Sequence, residues 1–125
     1  KKERPPLKAI ALSVDSSIIT SISNDFKFED IFSRQIDALG KEGDTLLGIS
    51  TSGESKNIIN AFKKAKQKKL KVIGLLGKKG GEAANYSDCN IIIPSNSTAR
   101  IQEMHTLIYH ILCDLVEKEL GYENY

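Results

Sequence analysis

The chain has 125 residues, of which 40% are hydrophobic, 27% charged and 6% aromatic, and its formal net charge is +2. This length suits one domain with an ordinary hydrophobic core, and we predict a single domain over residues 1–125. The small net charge gives no electrostatic reason to expect a nucleic acid partner. No apolar run approaches the ~20 residues of a membrane-spanning helix, so we expect no membrane partner either.

The first six residues contain no initiating methionine and no apolar segment of a signal peptide. They lead almost directly into apolar sequence, as expected for a chain that begins within a longer protein. Cys89 and Cys113 lie in apolar segments without a C-x-x-C or disulfide pattern. We therefore expect two buried, reduced thiols and a cytoplasmic protein.

The front of the chain predicts one strand and two helices. Residues 7–13 form an apolar run, which predicts a strand. Asp15 is a start signal for a short helix that ends at the polar residues 23–25. Apolar residues then recur at three- and four-residue steps over 26–39, which predicts an amphipathic helix that ends at Gly40.

The rest of the chain alternates between strands and helices. In chain order we predict a strand at 44–50, a helix at 55–69, a strand at 70–76, a short helix at 82–86, a strand at 90–93 and a helix at 99–120 that ends at Gly121. Short apolar strands separated by helices indicate a parallel sheet with both faces covered. We therefore predict an α/β fold, a three-layer doubly wound parallel sheet flanked by helices, with a front strand expected to be missing.

Residues 50–55, Ser-Thr-Ser-Gly-Glu-Ser, stand where a predicted strand ends and a predicted helix begins, the usual ligand position in open α/β sheets. Four hydroxyl side chains come together in this segment: Ser50, Thr51, Ser52 and Ser55. Gly53 permits a tight turn, and the helix start offers free N–H groups to an anion. We predict a phosphate site; the alternative is a plain turn in which Ser55 only caps the helix. The segment lacks the Gly-Lys-Ser/Thr ending of a nucleotide P-loop, so nucleotide hydrolysis is not expected.

Both histidines, His105 and His110, lie on the predicted final helix. At about 100° per residue they point about 140° apart and cannot serve one site, whereas Gln102 and His110 differ by about 80° and can reach one pocket. Taken alone, a helical histidine is more often structural or exposed than catalytic. No set of His, Cys, Asp and Glu has the spacing of a metal site.

Residues 63–71 form a dense basic run. On a helix that ends there, lysines favour the negative end of the helix dipole, which supports a solvated helix face. The alternative is a nucleic acid patch, but no aromatic residues are interleaved to stack on bases.

Several stretches together resemble the sugar isomerase (SIS) domain, and within it the phosphoheptose isomerases, which act on sedoheptulose 7-phosphate. They are residues 23–26, 32–35, 43–55, 94–95 and 100–110, in the order and at the spacing of that family. The resemblance implies an aldose–ketose isomerase that forms D-glycero-D-manno-heptose 7-phosphate for a bacterial surface polysaccharide. It also implies a homotetramer with active sites at subunit contacts.

The resemblance also implies roles for individual residues. Those implied to bind the phosphate are Ser50, Thr51, Ser52 and Ser55. Asn24 and Asp25 are implied to contact the substrate, as is Gln102, which would also bind zinc. His110 is implied to be the catalytic histidine and a zinc ligand. An imidazole near neutral pKa suits the proton transfers of an enediol mechanism, and zinc would polarise the carbonyl.

The chain departs from the family at its front. Family members carry an N-terminal helix, a first strand, a Gly-Asn-Gly-Gly-Ser loop, a metal-binding His and a catalytic Glu before the region that matches here. None of these occurs, so we expect the chain to be the C-terminal two-thirds of the protein and the remaining zinc ligands to lie elsewhere. Ser97 stands where the family often has Asp.

Two other functions remain open. The first is a non-catalytic SIS protein that binds a partner, similar to the factor that associates with the bacterial replication initiator. That factor has Asn where this chain has His110 and Arg where it has Ser52, which favours the isomerase. The second is a sugar-phosphate sensor of a regulator, which would need an attached effector domain.

Overall fold

The computed structural model describes residues 4–122, so both ends of the predicted domain lie outside the described residues. The elements are α1 (Ser16–Asp25), α2 (Ser33–Leu39), β1 (Thr45–Ser50), α3 (Lys56–Gln67), β2 (Lys71–Gly77), β3 (Cys89–Ile93) and α4 (Thr98–Glu119). Short 3₁₀ segments lie before α2, at Phe28–Asp30, and between β2 and β3, at Glu82–Tyr86.

The three strands form a parallel sheet in the order β1-β2-β3. Ser50 of β1 pairs with Leu76 of β2, which in turn pairs with Ile92 of β3. The carboxyl ends of the strands therefore meet at one edge, where residues 50–55 leave the sheet. The α/β fold with a parallel sheet flanked by helices is confirmed.

The predicted strand at residues 7–13 is wrong. Within the described residues the sheet has three strands, and this segment pairs with none of them. Leu7 and Ile10 are exposed, and the carbonyl of Leu12 accepts a hydrogen bond from the Gln35 side chain (2.9 Å). Apolar composition alone suggested a strand, but a strand also needs a backbone partner.

The predicted helix over 26–39 is interrupted. The first helix begins after Asp15, whose carboxylate accepts from the amides of Ser17 and Ile18, and it continues to Asp25 through the predicted polar break at 23–25. The chain then leaves helical geometry at Phe26 (φ −129°, ψ −107°) before α2 begins and ends at Gly40, as predicted. The apolar residues of 26–39 therefore form no single buried face: Ile31 and Ile36 are buried, whereas Phe26, Phe28 and Leu39 are exposed.

One face of the sheet is well covered by α3. The buried side chains of α3 are Ile59, Ala61, Phe62 and Ala65, and they pack with Val72 and Leu76 of β2. The Phe62 ring lies directly against the backbone of β1 at Gly48, where any side chain would overlap the ring.

The opposite face is covered by the start of α4. A side chain at Gly77, which follows Leu76 and points to the other face, would meet Ile101. Ile101 and His105 are buried, whereas five large apolar residues of α4 are exposed: Met104, Leu107, Ile111, Leu115 and Val116. The helix therefore packs on the sheet only through its first turns.

The cysteines differ from the prediction in one respect. Cys89 and Cys113 are free thiols, as expected, but both are exposed. Cys89 begins the outer strand β3 and Cys113 lies on the uncovered part of α4, so apolar neighbours in sequence do not bury them. Across residues 4–122, none of the helices is both long and apolar enough to cross a membrane.

Candidate active site

The serine loop (residues 50–55) joins β1 to α3 at the carboxyl edge of the sheet. Ser50 is buried, and its Oγ accepts a hydrogen bond from the Gly53 amide (3.0 Å). The same oxygen lies 3.1 Å from Ser55 Oγ and 3.5 Å from Ser52 Oγ. The fold thus brings three of the predicted phosphate ligands together, while Thr51 lies partly buried beside them.

Ser55 occupies the capping position of α3 without capping it through its side chain. Its hydroxyl accepts no backbone N–H of α3 and faces Ser50 instead. Among the described residues, no hydrogen bond uses the amides of Lys56 and Asn57. Free amides at a helix start attract anions, so this arrangement suits a phosphate better than a plain capped turn.

The serine loop is held in place by the segment that follows β2. Gly53 has φ +70°, and a side chain there would overlap the carbonyl oxygen of Gly80. The Gly53 carbonyl accepts from the Ala83 amide (2.9 Å), and the Glu54 carboxylate accepts from the Glu82 amide (3.0 Å). These bonds fix the loop before any ligand binds, which lowers the entropic cost of binding.

Glu82 also anchors this segment to α3. Its carboxylate lies 3.1 Å from Lys63 Nζ, and the pair is exposed. The hydrogen bond that Lys63 donates to Glu82, followed by its hydrogen bond with Tyr86, holds the pKa of Lys63 above its usual value. Such an exposed ion pair adds little stability. The serine loop is therefore held mainly by the hydrogen bonds that the Ala83 and Glu82 amides donate to it.

The first turn of α4 also abuts the serine loop. A side chain at Gly77 would meet both the carbonyl oxygen of Thr51 and the buried side chain of Ile101. Gln102, the next residue, is exposed at this edge of the sheet. Sequence reasoning missed the contacts of Gly77 and Glu54. Their signal in the sequence is the group of glycines that follows the strand predicted at 70–76, Gly77, Gly80 and Gly81.

His110 lies farther along the same helix. Eight residues separate it from Gln102, a rise of about 12 Å along an α-helix. Its ring is exposed and packs edge-on against Tyr109, with 4.7 Å between the ring centroids. Within residues 4–122 no hydrogen bond joins His110 to the serine loop.

Asn24 and Asp25 end α1 and are exposed. The Asn24 amide donates to the Asp25 carboxylate (2.8 Å). The Arg34 guanidinium lies 3.7 Å from the ring centroid of the adjacent Phe26. As far as the described residues go, no hydrogen bond connects this pair to the serine loop or to α4.

The described residues do not fit a zinc site by themselves. Catalytic zinc takes three protein ligands. No group of three or more His, Cys, Asp and Glu residues between positions 4 and 122 could hold a metal ion. Gln102 and His110 offer only two donors, from side chains two turns apart on one helix. We therefore route no chemical step through zinc.

Comparisons with known proteins identify a common domain. A family model described as the SIS domain matches residues 1–77. "Phosphoheptose isomerase" of Clostridium acetobutylicum is 58% identical over 118 residues, which cover 94% of this chain and 60% of that protein. A protein of the same name from Helicobacter pylori strain P12 is 49% identical over 124 residues, or 99% of this chain and 65% of the relative.

Solved structures agree with this result. A phosphoheptose isomerase from Francisella tularensis superposes with a TM-score of 0.89 at 46% identity, covering 92% of this chain and 62% of that structure. Phosphoheptose isomerase GmhA from Neisseria gonorrhoeae gives a TM-score of 0.84 at 45% identity, with coverage of 86% and 61%. The chain thus spans about 60–65% of the length of these curated relatives and solved structures.

Proposed function

Because the chain belongs to the SIS domain family, we propose that the protein is an aldose–ketose isomerase that converts sedoheptulose 7-phosphate into D-glycero-D-manno-heptose 7-phosphate. The serine loop is the observation that carries this proposal. Ser50 Oγ lies 3.5 Å from Ser52 Oγ and 3.1 Å from Ser55 Oγ, beside the free amides of α3, an arrangement suited to a phosphate group. Relatives named phosphoheptose isomerase support the choice of sugar.

The distance along α4 from Gln102 to His110 favours a long substrate. The first turn of α4 lies at the serine loop, and His110 lies about 12 Å beyond Gln102. A seven-carbon sugar with its phosphate on the last carbon carries its carbonyl near the other end. We place the phosphate in the serine loop, the middle of the sugar beside Gln102 and the carbonyl end towards His110.

The reaction moves one proton between neighbouring carbons. A base removes a proton from C1 of the ketose while the C2 carbonyl oxygen gains a proton, which gives an enediol. A proton then returns to C2 while the hydroxyl on C1 loses its proton, so that the carbonyl moves from C2 to C1. Imidazole can both accept and donate a proton near neutral pH, which suits His110 for one of these transfers. The Gln102 amide can both donate to and accept from sugar oxygens. A second acid/base group would come from outside the described residues.

Zinc binding belongs to this proposal for the whole protein. Gln102 and His110 would supply two of its ligands, and the others would come from outside the described residues. Metal analysis of the full-length protein tests this. We expect about one zinc per active site, and less after His110→Ala; equal zinc contents would contradict the assignment of His110 as a ligand.

The exposed apolar residues of α4 support self-association, and the family resemblance implies that four copies assemble. Met104, Leu107, Ile111 and Leu115 follow one another at helical spacing and lie on one side of the helix. Exposed apolar surface of this kind marks a protein interface. We propose that other copies of the protein cover it, and we expect Ile111→Asp to lower the mass measured by light scattering. An unchanged mass would contradict this assignment.

The remaining parts of the proposal concern the cell. We propose a cytoplasmic enzyme whose product enters a bacterial surface polysaccharide, on the strength of the family resemblance. A partner-binding role without catalysis is not favoured, because His110 and Ser52 are both present and the relatives bear an enzyme name.

NMR of sedoheptulose 7-phosphate tests the proposed function. We expect the full-length protein to convert the sugar, and His110→Ala to lose about 10²–10⁴-fold in turnover while it still binds the phosphosugar. Lys71→Ala is the matched control, because Lys71 is exposed at the opposite end of β2. A folded full-length protein that converts no sugar would contradict the proposal.

A further inference from the structure

His105 is a buried imidazole that the proposed proton transfers do not use. It is 3% exposed, and its Nε2 lies 3.1 Å from the carbonyl oxygen of Leu76. A carbonyl oxygen only accepts hydrogen bonds, so Nε2 must bear the hydrogen and donate it. Nδ1 is buried, and among residues 4–122 it has no hydrogen-bond partner.

The unpaired Nδ1 makes histidine a costly residue for packing alone. A buried polar atom without a partner destabilises a fold, whereas an apolar side chain such as leucine would occupy this position without that cost. The donation from Nε2 is therefore the feature that an apolar residue could not replace.

This hydrogen bond joins α4 to the strand residue beside the serine loop. Leu76 pairs with Ser50, the first residue of that loop. Gln102 lies three residues before His105, so the two side chains are neighbours on the helix surface. A fixed bond at His105 sets both the rotation of α4 and its position along the sheet, and with them the position of Gln102.

We infer that His105 is a positioning residue, which holds Gln102 against the bound sugar by donating a hydrogen bond from Nε2 to the Leu76 carbonyl. The substrate in this statement rests on the proposed function. The bond itself is a property of the fold, so its effect on α4 can be measured with no substrate present.

Kinetics of the full-length protein test the effect on substrate. We expect His105→Leu to lower kcat/KM for sedoheptulose 7-phosphate about tenfold, the equivalent of one lost hydrogen bond. His105→Gln should restore most of the activity, because its side-chain amide can donate in place of Nε2. Inhibition by inorganic phosphate should stay unchanged in both variants, since the serine loop is intact.

A double variant separates positioning from general destabilisation. If His105 acts through Gln102, the double variant Gln102→Ala with His105→Leu should be no less active than Gln102→Ala alone. Multiplied losses, or full activity in His105→Leu, would overturn the inference.

Hydrogen exchange tests the contact independently of turnover. We expect amides 101–105 to exchange faster in His105→Leu and at the original rate in His105→Gln, with α3 amides as the internal control. If the unsubstituted protein converts no sedoheptulose 7-phosphate, the proposed function fails and this exchange comparison decides the inference. Unchanged exchange in His105→Leu would overturn it. Should His105→Leu fail to fold, ¹⁵N NMR of the unsubstituted protein decides: the Nε2–H tautomer supports the inference and the Nδ1–H tautomer overturns it.

Discussion

The two faces of the sheet are covered to very different extents. On one face, α3 buries four apolar side chains against β1 and β2 although it has only 12 residues. On the other, α4 has 22 residues and buries only Ile101 and His105. The core under α3 is therefore formed by residues of the chain itself, whereas most of the apolar surface of α4 is exposed.

This difference also divides the candidate site. The serine loop begins beside the core under α3, and hydrogen bonds within the chain fix it. Gln102 and His110 project from α4, whose outer surface is uncovered. If the proposed function holds, phosphate binding should depend on the chain's own packing, and proton transfer should depend on the proposed contacts of α4 with other copies of the protein.

The largest expected effect is the loss of a core side chain under α3. Phe62 is fully buried, so Phe62→Ala should lower the free energy of unfolding by about 3–5 kcal/mol in urea titrations. Leu107 of α4 is 52% exposed, and Leu107→Ala should instead weaken self-association while changing protomer stability less. Equal losses of unfolding free energy would remove the contrast between the two faces.

The next effect concerns the backbone of the serine loop. Gly53→Ala places a Cβ against Gly80 in a backbone conformation that L-residues rarely adopt, so we expect a loss of about 1–3 kcal/mol or more and much weaker phosphate binding in ³¹P NMR titrations. Gly43 is the control, since it also has positive φ but no atom within 4 Å of an added Cβ. Gly43→Ala should cost about 1 kcal/mol and leave phosphate binding intact. Equal phosphate binding in both variants would contradict the proposed fixation of the loop.

A smaller effect distinguishes a capping serine from a binding serine. Asp15 caps α1 through its carboxylate, so Asp15→Ala should cost about 1 kcal/mol of stability. Ser55 makes no such bond to α3, so Ser55→Ala should change thermal stability less but weaken phosphate binding. A Ser55 variant that loses stability and keeps its phosphate affinity would restore the interpretation as a plain cap.

The smallest expected effect is a pH dependence of folding stability, which comes from Asp88 on the sheet face covered by α3. Asp88 accepts from Lys66 Nζ of α3 (2.5 Å) and from the Val72 amide of β2 (2.8 Å), and these bonds, that of Lys66 first, hold its pKa below the usual range. Because the folded-state pKa is the lower one, its stabilising effect is complete above about pH 4, the ordinary aspartate range, and is lost as pH falls through the folded-state pKa.

Unfolding midpoints of the unsubstituted protein and Asp88→Asn measure this contribution. We expect the unsubstituted protein to be the more stable at pH 7 and the difference to shrink towards pH 2. A difference that stays constant with pH would show that the carboxylate charge contributes nothing.

The sequence predicted features that depend on neighbouring residues. The strand before the serine loop, the glycine turn in it and the helix after it all follow from local patterns, and the structure places them as expected. The strand predicted at 7–13 was wrong because pairing depends on distant residues. His105 had no recognisable role in the sequence because its hydrogen bond reaches Leu76, 29 positions away.

Steady-state kinetics of Ser55→Ala and His110→Ala on sedoheptulose 7-phosphate test the central claim most directly. If the serine loop holds the phosphate and His110 transfers the proton, Ser55→Ala should mainly raise KM, and His110→Ala should mainly lower kcat by about 10²–10⁴-fold. A His110→Ala variant that turns over the sugar at the unsubstituted rate would contradict the account.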